Sequence, residues 1–106
     1  MDALDEPLGL VQSDGHLVHV NLAWRRVHGE ANGDDALQVK CGAQLPADAP
    51  GWLAPTLGQM LWEVFEASAK VSRFELVHGP RSFRGDAARL VDSSGTYALL
   101  TLRRAA

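Results

Sequence analysis

The chain has few of the features that mark extracellular or membrane-embedded proteins. Its 106 residues contain a single cysteine, Cys41, which excludes an internal disulfide framework and fits a reducing compartment. No apolar run approaches the ~20 residues that a membrane-spanning helix needs. The acidic start, residues 1–6, lacks the basic region of a signal peptide. We therefore expect a cytoplasmic protein without membrane insertion.

Positive charge is also sparse. The formal net charge is −3, and the only adjacent basic pairs are Arg25-Arg26 and Arg103-Arg104. This balance gives no electrostatic case for nucleic acid as a partner. An apolar fraction of 46% and a length of 106 residues are typical of one soluble globular domain. We predict a single domain over residues 1–106.

The first thirty residues carry the clearest local signals. Short apolar runs on either side of Asp14-Gly15 predict a β-hairpin, because this dipeptide suits a tight turn. Asn21 follows where a helix N-cap belongs, and Gly29 is placed to end that helix. Within it, Trp24 and His28 are predicted to share one face.

The middle of the chain predicts helices separated by a proline-rich connection. Asp35 is placed to cap a short helix over 36–41, and three prolines make regular structure improbable over 43–55. Thr56 and Gln59 have the spacing of a capping box that opens a helix ending near Lys70. Its apolar stripe is Leu57, Met60, Leu61, Val64 and Ser68.

In the last third of the chain, side chains alternate between two faces, as they do in β-strands. One strand includes Phe74 and Leu76 on a shared face, and a weaker strand over 83–91 is interrupted at Gly85-Asp86. A clear strand follows over 96–103. Hairpins at both ends with helices grouped between them predict an α+β domain, an antiparallel sheet with one covered face.

The opening segment PLGLVQSDGHLVHVNLAW, residues 7–24, resembles the start of a PAS domain. Asp14, Gly15, Asn21 and Gly29 occupy its structural motif: strand, Asp-Gly turn, strand ending in Asn, and a helix closed by glycine. Beyond residue 46 the likeness is one of element order. The resemblance implies a five-stranded antiparallel sheet ordered B-A-I-H-G, with helices over one face and any small-ligand pocket between the sheet and the long helix.

Several residues are candidates for a ligand pocket or a partner surface. Trp62 borders the apolar stripe of the long helix, so it is either a pocket or partner residue or core at the helix edge. Trp24 has the same two interpretations. The full set of candidates is Trp24, Cys41, Met60, Leu61, Trp62 and Val64. Tyr97 and Leu99, on the outer face of the last strand, are candidates for a homodimer surface.

Cofactor signatures are absent. Cys41 lacks the Asn-Cys-Arg-Phe-like surroundings of flavin-binding PAS domains, and we expect a packing cysteine that is at least half-buried. Haem-binding PAS sensors commonly use a histidine on the long helix, and residues 56–70 contain none. The four histidines show no metal-ligand spacing, so no metal site is predicted and the cofactor stays unknown.

No catalytic motif is present, so we predict a domain that is not an enzyme. The resemblance implies a sensory and protein-interaction module, the N-terminal input domain of a bacterial sensor histidine kinase or related regulator. Residues 103–106 would then begin a signalling helix to an output domain. The alternatives are a ligand-free PAS dimerisation or docking platform, and a small α+β ligand-binding domain or enzyme of unrelated fold.

Overall fold

Two hairpins, one from each end of the chain, join in one antiparallel sheet in the computed structural model, which describes residues 6–29 and 39–105. The strands are β1 (Leu8–Gln12), β2 (Leu17–Val20), β3 (Val71–His78), β4 (Arg81–Asp92) and β5 (Gly95–Ala105). The helical segments of the described residues are α1 (Leu22–Trp24), a π-helical turn (Arg25–Gly29) and α2 (Ala54–Phe65). The strand order β2-β1-β5-β4-β3 is the order that the resemblance implies, so the predicted fold is confirmed.

The last strand lies at the centre of the sheet. It pairs with β1 from Leu8 opposite Thr101 to Gln12 opposite Tyr97, and with β4 along its whole length. The strand was predicted to end at Arg103, but it continues to Ala105. Residues 103–105 therefore extend the sheet rather than begin a signalling helix, because their backbone groups pair with the start of β4.

The first hairpin forms as predicted around Asp14-Gly15. Gly15 has a φ of +95°, which favours glycine, and a Cβ there would collide with the carbonyl oxygen of Leu45. The amide of Leu45 donates to the carbonyl of Gly15 at 2.9 Å. This glycine therefore serves both the turn and the close docking of the loop against the hairpin.

Asn21 caps α1 as predicted and also holds the first strand. Its Oδ1 accepts from the amide of Trp24 at 2.9 Å and from the amide of Leu8 at 3.0 Å. Its Nδ2 donates to the carbonyl of Glu6 at 2.7 Å. The asparagine thus connects the start of α1 to the start of β1, which is a wider role than a helix cap.

The helix that follows widens into the π-helical turn ending at Gly29. The Trp24 and His28 rings meet edge to face, with their centroids 4.7 Å apart, which confirms that they share a face. The predicted helix over 36–41 lies partly outside the described residues. Its described part, from Val39 onward, is not helical, and Cys41-Gly42 forms a turn in which Gly42 has a φ of +96°.

The long helix α2 has different ends from those predicted. It begins at Ala54 with Leu53 as N-cap and no side-chain cap, so the expected capping box at Thr56 was wrong. Pro55 lies in the first turn, where its missing N–H costs nothing. The helix ends at Phe65, five residues before Lys70, and Ser68 beyond it is exposed with a φ of +58°.

The core lies between α2 and one face of the sheet. Four residues of the predicted stripe are buried there: Leu57, Met60, Leu61 and Val64. They face alternate residues of the central strands: Val11, Ala87, Ala98, Leu100 and Leu102. Each fully buried leucine of this set stabilises the fold by roughly 1.5–3 kcal/mol.

The strand β4 is continuous, and the predicted interruption at Gly85-Asp86 was wrong. Gly85 lies opposite Phe74 of β3, and a Cβ there would collide with the Phe74 ring. The absence of a side chain at Gly85 therefore lets the Phe74 ring lie over β4 and pack against the core. No helix of the described residues is both long and apolar enough to cross a membrane.

Candidate functional site

The six candidate residues for a pocket or partner surface do not line one space. Four of them, Trp24, Met60, Leu61 and Val64, belong to the hydrophobic core. Cys41 and Trp62 are exposed. The structure thus separates a core group from two surface residues, and any role in ligand binding stays a prediction.

Trp24 is fully buried beneath the first hairpin. Its Nε1 donates to the carbonyl of Val39 at 2.8 Å, which satisfies the only polar atom of the ring. Of the two interpretations of Trp24, the structure favours core. The bond also attaches the segment at Val39, itself fully buried, to the helical layer.

His28 is a buried titratable group beside Trp24, with 1% of its surface exposed. Its Nε2 hydrogen-bonds the carbonyl of Leu102 on β5, and its Nδ1 has no partner among the described residues. Burial lowers the pKa of His28 below its usual 6.5, and the bond to Leu102 offsets part of that effect. The neutral ring therefore ties the π-helical turn to the central strand.

Cys41 lies exposed in a turn, so the expectation of a packing cysteine was wrong. Val39, two positions earlier, is the apolar residue that enters the core at this point.

Within residues 6–29 and 39–105, no group of three or more His, Cys, Asp or Glu side chains is placed to hold a metal ion.

Trp62 is 56% exposed, so it is not core at the helix edge. It lies in a groove of about 220 Å³ between α2 and the turn of the first hairpin, which we call the Trp62 groove. Its described lining is Ser13, Asp14, Gly15, Leu45, Pro46, Gly58, Leu61, Trp62, Phe65 and Glu66. The lining residues on α2 are Gly58, Leu61, Trp62 and Phe65. Their spacing places them on one side of the helix, next to the predicted apolar stripe and sharing Leu61 with it, and this grouping was not predicted.

The sheet face opposite the helices carries an apolar patch. Leu10 and Ala88 flank Leu99 on neighbouring strands, and Leu90 lies opposite Tyr97. These side chains are half-buried or exposed, and none belongs to the core cluster. We define the outer apolar patch as Leu8, Leu10, Val71, Ala88, Leu90, Tyr97 and Leu99. It includes both residues predicted for a dimer surface.

Two ion pairs also lie on this outer face. Arg84 Nη2 lies 2.9 Å from Glu75 Oε1, and Arg73 Nε lies 3.2 Å from Asp86 Oδ1, each pair joining β3 to β4. They line an open depression of about 560 Å³ together with Arg103. Because these pairs are exposed, each stabilises the fold by at most ~1 kcal/mol. Their main effect is a polar border beside the outer apolar patch.

An aromatic stack that was not predicted fixes the proline-rich connection. The rings of Trp52 and His78 lie parallel, with centroids 4.2 Å apart, and Trp52 also contacts Phe83 at 5.0 Å. These contacts place the proline-rich loop against β3 and β4. No local pattern identifies His78 as its partner, since they are 26 positions apart.

No protein-family model matches the sequence, and no curated protein matches it either. Solved structures do share its fold. A domain of an HTR-like protein from Haloarcula marismortui aligns with a TM-score of 0.62 at 18% identity, over 95% of this chain and 98% of that one. A sensory box sensor histidine kinase from Vibrio cholerae aligns with a TM-score of 0.64 at 12% identity, over 94% and 81%.

The PAS domain of a protein from Desulfitobacterium hafniense aligns with a TM-score of 0.57 at 12% identity, over 95% of this chain and 93% of that one. Identities this low establish the fold. The chain therefore has a PAS-type fold.

Proposed function

We propose that the chain is a cytoplasmic sensory and protein-interaction module of bacterial signal transduction, acting as the input domain of a sensor histidine kinase or a related regulator. The observation that carries the proposal is the sheet itself, which has one face covered by helices and the other bearing the outer apolar patch. The Vibrio cholerae neighbour, a sensor histidine kinase, supports it by its fold. The proposal assigns no reaction to this domain.

The signal would travel through the packing of α2 against the central strand. Leu100 and Leu102 of β5 share the core with Met60 and Val64 of α2. A ligand or partner that binds one arrangement of α2 more tightly would shift the population toward it, and β5 would move with the core it carries. Differential affinity for two arrangements is the physical requirement.

A homodimer through the outer apolar patch is the second part of the proposal. Leu99 lies at the patch centre between Leu10 and Ala88, so it would be buried when two patches meet. An apolar patch bordered by charges has the anatomy of a protein–protein interface. A two-fold arrangement would let the same patch serve both copies.

The dimer is tested by sedimentation equilibrium of the wild type, Leu99→Arg and Val77→Arg. Val77 is 71% exposed at the far end of β3, outside the patch, and so provides the matched control. We expect a concentration-dependent dimer that Leu99→Arg weakens by at least roughly ten-fold and Val77→Arg leaves intact. A wild type that stays monomeric at high concentration contradicts the dimer.

Sensing and ligand-free docking are distinguished by native mass spectrometry of the purified domain. A small molecule retained reproducibly across preparations supports a sensory role. Repeated spectra of the empty protein favour the alternative, a PAS-type domain that acts only as a dimerisation or docking platform. This measurement does not depend on the ligand having colour.

A further inference from the structure

The Trp62 groove has the composition of a binding site rather than of an ordinary surface. Trp62 leaves 56% of its surface exposed, while its neighbour Leu61 is 6% exposed and Phe65 is half-buried. A large aromatic side chain left this open on a helix is costly to solvate and is favoured at binding hot spots. The groove therefore offers an apolar anchor point beside a partly covered floor.

The shape of the groove depends on residues from two separated segments. Gly58 on α2 lies close to Pro46, since a Cβ at Gly58 would come within 3.4 Å of the proline Cγ. The turn at Gly15 is bonded to Leu45 and supplies the opposite wall. Both walls belong to hydrogen-bonded elements, the first hairpin and α2.

The charge of the groove is negative on both walls. Asp14 comes from the hairpin turn and Glu66 from the end of α2, and no Lys or Arg appears among its described lining residues. The Asp14 carboxylate accepts from the backbone amide of His16, which together with the His16 side chain lowers the pKa of Asp14 and keeps it charged. The carboxyl end of α2, where the backbone carbonyl of Trp62 accepts from the amide of Glu66, adds partial negative charge.

We propose that the Trp62 groove binds a basic amphipathic peptide segment of a partner protein. Apolar side chains of the segment would pack on Trp62 and Phe65, and its Arg or Lys side chains would lie over the Trp62 ring and against Asp14 and Glu66. The inference rests on the interaction role proposed above and gives the chemistry of one partner. The lining residues on α2 lie on the helical side of the sheet, whereas Leu99 lies on the opposite face, so substitutions at Trp62 and Leu99 test the two surfaces independently.

The test uses a synthetic probe, the 12-residue peptide with Leu-Arg-Ala-Leu repeated three times, titrated into the labelled domain and followed by NMR. We expect shifts of the Trp62 indole N–H and of the amides of Gly15 and Glu66, and weaker binding as salt screens the charges. The matched peptide with Glu in place of Arg should bind at least roughly ten-fold more weakly. So should the peptide with Ser in place of Leu, because it keeps the charge without the apolar face.

Protein variants separate the groove from the overall charge of −3. Trp62→Ala should weaken binding by roughly ten-fold or more, and Leu22→Ala, which truncates a 53% exposed leucine on α1, should not. Asp14→Asn with Glu66→Gln should reduce the preference for the basic peptide.

Several results would overturn the inference. They are equal affinity for the basic and acidic peptides, absence of any Trp62 shift, or shifts confined to the outer face. Leu99→Arg serves as a control on the other side, since it should change the dimer and leave peptide binding unchanged.

Discussion

Replacement of Asn21 by alanine should destabilise the domain far more than an exposed helix cap would. The substitution removes three hydrogen bonds, to the amides of Leu8 and Trp24 and to the carbonyl of Glu6. At roughly 1 kcal/mol each for partly buried bonds, the free energy of unfolding should fall by about 2–3 kcal/mol. For a domain of this size that corresponds to a melting temperature lower by roughly 10–15 °C.

Urea denaturation followed by circular dichroism measures this loss. Asn21→Asp keeps the acceptor for both amides and loses only the donor to Glu6, so it should cost about 1 kcal/mol. Gln59→Ala, which truncates an exposed amide on α2, should change stability by less than about 0.5 kcal/mol. If Asn21→Ala also costs less than about 0.5 kcal/mol, or costs no more than Asn21→Asp, the three-bond account of this residue is refuted.

Two further substitutions test features of the core. Gly85→Ala should lower the free energy of unfolding by about 1–3 kcal/mol, because the added methyl group meets the Phe74 ring. In a double-mutant cycle, adding Phe74→Leu should recover part of this loss. Gly51→Ala is the control in the same urea titration and should be neutral, because nothing lies within 4 Å of its Cβ position. Because burial lowers the pKa of His28, the unfolded chain binds its proton first, so the free energy of unfolding should fall as pH drops below about 6.5. His28→Gln should flatten that slope in pH-dependent denaturation, and equal slopes for wild type and His28→Gln would contradict the assignment.

Local signals predicted the parts of the fold that depend on neighbours in sequence. The Asp14-Gly15 turn and the Asn21 cap need only short-range backbone geometry, and the alternation through Ala98 and Leu100 needs only the period of a strand. These features also identified the PAS-type order of elements. The proximity of β1 to β5 followed from that resemblance.

Three expectations were wrong, one because of a distant contact and two because a neighbouring residue decided the local structure. Gly85 suggested an interrupted strand from its sequence alone. The glycine is needed there because the Phe74 ring of another strand occupies the space of a side chain. Thr56 has the spacing of a capping box, yet Pro55 is equally suited to a first helical turn, and the helix begins before both. Burial of Cys41 was expected from the usual habit of cysteine, but the turn at Gly42 directs it to solvent.

The candidate site divides in the same way. Tyr97 and Leu99 were assigned to the outer face from strand alternation alone. Trp62 was recognised as unusual, but the groove around it requires the hairpin turn and Pro46 to lie against α2. Only tertiary structure brings those segments together.

The central position of β5 has a consequence for how the chain is made. On the ribosome, β1 emerges first and has no neighbour on its inner edge until residues 95–105 are synthesised. The nascent chain therefore carries two unpaired edges, on β1 and on β4, which are the surfaces that favour aggregation. Closure of the sheet must wait until β5 has been synthesised, and contacts of such long sequence separation make it slow.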